Sequence, residues 1–286
     1  MTEADPAIRN VSDTALWAAH YRAVESVRPD ALFRDPFAER LAGERGRRIA
    51  AAEKRHFRAD WAWAMRTVLF DELLRGELAP AAGTDLIVNL AAGLDARPYR
   101  MDLPASLRWV EVDLPGILDY KEELLVAETP RCRLERVRLD LADVDARRAL
   151  FARLGGESRR AVVISEGLLL YLEPDQVASL GRDLAAPQSF QRWLVDVVSP
   201  GLLLRMRKTH GAQLQAAQAP FHFGPADGAE FFRPHGWQPL LIRPLFTAAK
   251  HLRRLPLLLR LLSWLPDSPG PGGKRPWAAV CLLGRD

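Results

Sequence analysis

The sequence predicts an α/β fold built on a mostly parallel sheet, and two features predict it. From Asp85 onward, short apolar or β-branched runs alternate with helical stretches, and successive runs end in an acid: Asp113, Asp140, then Glu166. The 80 residues before this are helical in character. Ala15, Ala18, Ala19, Tyr21, Arg22 and Ala23 sit among good helix formers, Pro29-Asp30 breaks the run, and Asp35-Pro36 opens a second helix with proline at its first position. A longer helix over 56–74 carries Trp61, Trp63, Met65, Val68, Leu69, Leu73 and Leu74. Arg66 and Asp71 interrupt that apolar series, so one side of it faces something polar.

The strands follow in order. Leu86-Ile-Val-Asn-Leu90 ends in a turn of small residues, Arg108-Trp-Val-Glu-Val-Asp113 is the second, and Arg133 to Asp140 alternates as the third. Ala161-Val-Val-Ile-Ser165 and Trp193 to Val198 are short and β-branched, as buried parallel strands are. Helices over 116–127, 143–154 and 173–185 lie between them. After Pro200 come a polar helical segment (202–219), a Phe-His-Phe-Gly-Pro stretch (221–225) and Phe231-Phe232. Gly236-Trp237 and a strand at 240–242 lead into a Leu/Arg-rich stretch (246–265), a Pro/Gly loop and a last strand at 277–283. Seven strands result. The chain reads as one domain over 1–286: a helical cap (1–80), a core (81–199), and an insert with the C-terminal strands (200–286) that is expected to build a helical lid and an acceptor pocket.

Composition bounds the function. The chain has 286 residues, 48% hydrophobic and 27% charged, which is ordinary for a globular protein. Two cysteines, Cys132 and Cys281, exclude a disulfide scaffold or a cysteine-rich metal domain, and no metal is expected. The start, Met1-Thr-Glu-Ala-Asp-Pro, has no basic and apolar leader pattern, and no apolar run reaches the length of a membrane span; the cytoplasm is the expected compartment. The net charge of +4 is uneven: residues 200–286 carry 12 Lys+Arg against 4 Asp+Glu, and residues 1–199 carry 28 against 32. No basic-aromatic stripe accompanies the excess, so nucleic acid is not an expected partner.

In an open parallel sheet, ligands bind beyond the carboxyl ends of the strands. The turn from Asn89 to Gly93 is small enough for a ligand to approach its backbone. Asp113 follows Gly93 by 20 residues, a spacing at which a carboxylate takes ribose hydroxyls. A dinucleotide site wants G-x-G-x-x-G to seat a pyrophosphate, yet this turn has one glycine and an acid, Asp95. That weakens a nicotinamide oxidoreductase and fits a nucleoside cofactor without phosphates, such as S-adenosylmethionine.

The runs Thr14-Ala-Leu-Trp-Ala-Ala-His-Tyr-Arg-Ala-Val-Glu-Ser, Asp30-Ala-Leu-Phe-Arg-Asp-Pro-Phe-Ala and Arg66-Thr-x-x-x-Asp71 resemble the leucine carboxyl methyltransferase family, in particular its bacterial S-adenosylmethionine-dependent branch. So do Asn89-Leu-Ala-Ala-Gly-Leu-Asp-Ala-Arg-Pro-Tyr-Arg, Glu111-Val-Asp-Leu-Pro, Asp140-Leu, Ser165-Glu-Gly-Leu-Leu-Leu-Tyr-Leu and Gly236-Trp. The resemblance spans about residues 14–284. It implies the class I methyltransferase, Rossmann-like version of the α/β fold, with helices on both faces of a seven-stranded sheet. It also implies Arg66 on the methionine carboxylate, Ala91 and Gly93 in the turn near the methionine end, and Asp113 with Leu114 at the ribose. Asp140 and the backbone of Leu141 read adenine, and Glu166 lies near the amino-acid end or the transfer centre. Ala91 stands where the family often has glycine.

The resemblance fixes the reaction better than the acceptor: relatives esterify carboxylates of proteins or small aromatic molecules, or methylate hydroxyls. A carboxylate needs no base, whereas a hydroxyl gains from one. His210, His222 and His235 are the candidate bases. Arg22, Tyr171, His210, His222 and Phe223 are candidate acceptor contacts, and Glu166, Tyr171 and His222 are the candidates for catalysis. Phe221, Phe223, Phe231 and Phe232 are expected to form an apolar wall. Within the Leu/Arg-rich stretch 246–265, residues 255–265 with Arg253, Arg254 and Arg260 read as a basic amphipathic surface helix, packed between the last two strands, roofing the pocket, or meeting a membrane or lipid-like substrate. The expected acceptor is a small acidic or phenolic molecule, with a protein C-terminus as the alternative.

Overall fold

The computed structural model describes residues 12–53, 60–216, 219–262, 270–272 and 275–285. β-branched and apolar runs become β1 (Leu86–Leu90), β2 (Arg108–Asp113), β3 (Arg133–Arg138), β4 (Ala161–Ser165), β5 (Phe190–Val198), β6 (Trp237–Pro244) and β7 (Ala278–Arg285). They form one sheet in the order β3-β2-β1-β4-β5-β7-β6. β1 to β5 pair in parallel, and β7 runs antiparallel between β5 and β6. β1 and β4 are neighbours in space but not in sequence. The strand order therefore reverses between them, and a crevice opens at their carboxyl ends.

Ten α-helices dress the described sheet. α1 (Asp13–Ser26), α2 (Ala38–Glu53) and α3 (Asp60–Glu77) precede it; α4 (Arg97–Arg100), α5 (Pro115–Leu125), α6 (Val144–Gly156) and α7 (Pro174–Ala185) connect the parallel strands. α8 (Pro200–Ala216), α9 (Leu245–His251) and α10 (Leu257–Leu262) belong to the last third. Alternation along each strand divides the core in two. Leu86, Val88 and Leu90 meet Phe151 and Leu154 of α6 and Val177 and Leu180 of α7 on one face. Ile87, Trp109 and Ile164 meet Met65, Leu69, Phe70 and Leu73 of α3 on the other. A third cluster joins Leu16 and Trp17 of α1, Leu41 of α2 and Ile117 of α5 to Leu94 and Ala96, which follow β1. It fixes α1 across the strand ends.

Two sequence expectations change. Pro36 stands ahead of α2 rather than at its first position; Asp35 Oδ1 accepts from Phe37 N, and Asp35 O from Ala38 N, so the acid makes the turn that leads into the helix. The helix expected over 255–265 begins at Leu257, as α10, and a separate short helix, α9, precedes it. α9 and α10 are separated by Arg253, whose φ of 55° is left-handed, and by Pro256, which cannot continue a helix. α9 packs through Leu245 and Ala249 into the α3 side of the core, and residues 263–265 lie outside the described ones. No helix among the described residues is long and apolar enough to cross a membrane.

Candidate functional site

The ends of β1 to β4 open into a cavity of about 280 Å³. The turn after β1 carries two left-handed residues, Ala91 (φ 50°) and Gly93 (φ 47°). Glycine adopts that region freely; alanine there is strained by on the order of 1–3 kcal/mol and must be held. Gly93 N donates to Asp113 Oδ2 (2.6 Å) and Ala92 N to Val112 O (3.2 Å), which straps the turn to the end of β2. Asp113 Oδ1 also accepts from Leu114 N (2.7 Å). Burial pushes the Asp113 carboxyl up, and the two N–H donors oppose that rise without cancelling it. A Cβ on Gly93 would lie 3.1 Å from Ala15 Cβ, so α1 closes directly over the turn.

Beyond the turn runs a chain of alternating charges. Glu166, just past β4, accepts from Arg66 Nε through Oε1 (3.0 Å) and from Arg97 Nη1 through Oε2 (2.8 Å). Arg66 Nη1 reaches Asp196 Oδ2 at 3.5 Å, and the guanidinium lies 4.7 Å from the Trp63 ring centroid. Asp196 Oδ1 accepts from Gly167 N (2.7 Å). Arg97 donates from Nε to Asp71 Oδ1 (2.6 Å) and from Nη1 to Asp95 Oδ2 (2.9 Å), and Asn89 Nδ2 donates to that same oxygen (2.9 Å). Arg100 donates to both oxygens of Asp71. Burial pushes all these carboxyls up. The guanidiniums overcome it for Asp71, Asp95 and Glu166, which fall below the usual carboxylate range; for Asp196 burial prevails and the carboxyl stays raised. Arg66 Nη2 makes no hydrogen bond among the described residues, which leaves one cationic N–H group for an anion.

The leucine carboxyl methyltransferase profile matches residues 15–185 of this sequence. The chain belongs to that family. A protein of Mycobacteroides abscessus provisionally named an S-adenosyl-L-methionine-dependent methyltransferase is 32% identical over 261 residues, 80% of this chain and 84% of its own. A Streptomyces coelicolor protein named in the same way is 32% identical over 278 residues, covering 91% and 92%. Two solved structures share the fold at low identity. A provisionally named methyltransferase of Thermobifida fusca aligns with a TM-score of 0.61 at 16% identity, over 99% of this chain and 97% of that one. A DUF574 family protein of Streptomyces avermitilis aligns at 0.57 and 17%, over 92% and 96%. The leucine carboxyl methyltransferase homologue described here is thus an S-adenosyl-L-methionine-dependent methyltransferase with the Rossmann-like fold of that class.

The methyltransferase cavity gathers most of the positions that the sequence singles out. Ala91, Gly93, Asp113 and Leu114 meet at the ends of β1 and β2, Asp140 and Leu141 lie after β3, and Arg66 and Glu166 stand across from them. Asp140 is exposed; its Oδ1 accepts from Ala142 N (2.9 Å), and its Oδ2 makes no bond among the described residues. Tyr171 lines the cavity with its ring against Phe221 (5.3 Å between centroids), and burial pushes its hydroxyl up, so it remains a donor at neutral pH. Arg22 also lines it but is spent on structure: Nε donates to Asp35 Oδ2 (2.9 Å) and Nη2 to Leu94 O (2.6 Å), tying α1 to the turn.

Other expectations are corrected. His222 does not line the cavity; its Nδ1 lies 2.6 Å from Glu173 Oε1 at the start of α7. Phe223 is buried in the core against Phe231 and Phe232 rather than forming an acceptor wall. His235 packs against Phe231 beside Arg182. The side chain of His210 lies outside the described ones. Every described lining residue falls between 12 and 172, none of the described residues of the segment 200–286 expected to shape an acceptor pocket lines this cavity, and α1 is its cover. Asp95 and Arg97 line the cavity, and Asp71 and Asp196 pair with arginines of its wall; the sequence reading gave none of the four a cofactor-site role, and the Asp95-Ala-Arg97 spacing beside the turn is the one local signal of them.

Gly167 shows how tightly this side is built. Its φ is +71°, and a Cβ would sit 3.1 Å from Arg66 Nη1. Gly167→Ala is expected to push the Arg66 guanidinium aside and weaken S-adenosylhomocysteine binding about ten-fold, which corresponds to about 1.4 kcal/mol. Calorimetry at fixed pH checks this; wild-type affinity would show that the Arg66 position is immaterial.

Proposed function

We propose that the chain is an O-methyltransferase that moves the methyl group of S-adenosylmethionine to a carboxylate or acidic phenol of a small organic acceptor. The residues fit the cofactor. The left-handed turn at Ala91 and Gly93 brings backbone close to the ligand, Asp113 takes ribose hydroxyls with its remaining lone pairs, and Asp140 with the backbone of Leu141 meets the adenine edge. Leu114 packs beside the ribose, and Arg66 Nη2 pairs with the methionine carboxylate. When bound, the cofactor supplies an activated methyl group; the protein holds donor and acceptor in line and excludes water.

One observation carries the choice of acceptor: Glu166, which lines the cavity, has both oxygens on guanidiniums and a lowered pKa, so it is a poor proton acceptor. None of the described lining residues is histidine. An acceptor that arrives already ionised suits such a site, and Tyr171 donates a hydrogen bond to orient its oxygen. The description of the matched family favours a second reading, the α-carboxylate of a peptide ending in leucine. A panel of carboxylic acids, phenols, neutral alcohols and leucine-terminated peptides, assayed with methyl-labelled cofactor, separates these. Turnover is expected for the small acids and for phenols in proportion to their ionisation. Preference for neutral alcohols defeats the proposal, and preference for the peptides selects the second reading.

A further inference from the structure

Arg97 is the most heavily shared cation of the site. It is 2% exposed and divides its N–H groups among three acids from three parts of the fold: Asp71 on α3, Asp95 in the turn after β1, and Glu166 beyond β4. Its own backbone N–H donates to Asp95 Oδ1 (2.9 Å) as well. Phe70 lies under the guanidinium, 5.7 Å from ring centroid to Cζ, so the plane has little room to turn. We propose that Arg97 is a positioning residue: it aims Glu166 at Arg66, and the cofactor affinity of the enzyme at neutral pH depends on that aim.

The geometry makes the dependence specific. Glu166 offers two oxygens, and each has one guanidinium, Arg66 on Oε1 and Arg97 on Oε2. With Arg97 in place the carboxylate is pinned at both ends, which fixes the Arg66 Nε and turns the free Nη2 toward the cavity. Charged groups face Glu166 from every packed element: Arg66 from α3, Arg97 from α4, Asp95 from the turn and Asp196 from β5. Two of these are acids. Without Arg97, Arg66 would be the one guanidinium still bonded to Glu166 among the described residues, with Asp95 and Asp196 beside it in a buried space, and burial would favour the protonated carboxyl. A neutral Glu166 holds Arg66 weakly. The affinity supported by ionised Glu166 is present above its pKa and lost as the pH falls through it. Arg97 keeps that loss at acid pH; removing Arg97 moves it to higher pH.

The inference rests on the cofactor assignment, and the test separates the two. S-adenosylhomocysteine binding is measured by calorimetry from pH 5.5 to 9 for the wild type, Arg97→Gln, Arg97→Lys and the double variant Arg97→Gln with Glu166→Gln. Absence of binding by the folded wild type refutes the cofactor site itself. With binding established, Arg97→Gln is expected to lose affinity at a higher pH than the wild type does as the pH falls, within the range measured, and to recover it as the pH rises. The double variant is expected to lack that loss, and lysine to restore part of the wild-type profile. Arg97→Gln with reduced affinity but an unshifted pH profile overturns the proposal, because it marks a direct contact or a general loss of structure. A measurement on the wild type does not depend on any variant folding: carbon-13 NMR of labelled glutamate carboxyls, with Glu166 assigned by its loss in Glu166→Gln. Glu166 is expected to remain ionised down to pH 5.5, and a titration above pH 6 overturns the proposal.

Discussion

Asp71→Ala is expected to destabilise the protein by about 3–5 kcal/mol, the cost of leaving buried charge without its partner. Asp71 is 1% exposed and accepts from Arg97 Nε and from both terminal nitrogens of Arg100, themselves buried. Alanine would leave two guanidiniums facing each other in the α3 side of the core, where Phe70 and Phe33 already lie under their planes. Urea unfolding should show a lower midpoint with an unchanged slope. Asp71→Asn keeps the volume and one acceptor oxygen, and should lose less. The pH dependence has a definite sign. Because the guanidiniums lower the folded pKa of Asp71, the stability it contributes is present above the ordinary carboxylate range and lost as the pH falls through the lowered value. Wild type and Asp71→Ala should therefore converge in strong acid, and a gap that persists undiminished there would mean that packing, not charge, explains the loss.

The sheet was legible because its strands are short and bounded. β1, β2 and β4 occupy the apolar runs that predict them, since buried parallel strands are β-branched on both faces and stop at acids or small turns. The acids at strand ends marked the side on which the cavity opens for the same reason. The ion chain was not legible, because its members are brought together by tertiary packing. Arg66 and Asp71 interrupt the apolar series of one helix, and five residues at 3.6 per turn set them roughly 140° apart. Arg66 consequently faces the cavity and Glu166, while Asp71 faces Arg97 and Arg100. Phe221-His222-Phe223 failed as an acceptor motif through alternation. Both phenylalanines are buried, and the histidine between them turns to Glu173. The helix expected over 255–265 begins at Leu257 instead, and Pro256 just ahead of α10 was the visible sign of that boundary.

Asp113→Ala is expected to weaken S-adenosylhomocysteine binding about 100-fold or more while leaving the fold intact. Two contributions are lost together. Ribose hydroxyls lose a charged acceptor, and hydrogen bonds to charged groups contribute about 1.5–3 kcal/mol each. The strap on the turn is lost as well: Gly93 N and Leu114 N no longer have an acceptor, and Ala91 is left in a left-handed conformation with less to hold it. About 2.7 kcal/mol already accounts for a factor of 100. Asp113→Asn separates the contributions, because its single oxygen can serve one backbone N–H while its amide nitrogen confronts the other. If the turn matters as much as the ribose contact, asparagine should bind nearly as poorly as alanine; if the ribose contact dominates, asparagine should recover part of the affinity. Calorimetry gives the affinities, and circular dichroism confirms that each variant is folded. Folded Asp113→Ala protein with wild-type affinity would remove Asp113 from the site, and the ribose would then have to be sought elsewhere along the strand ends.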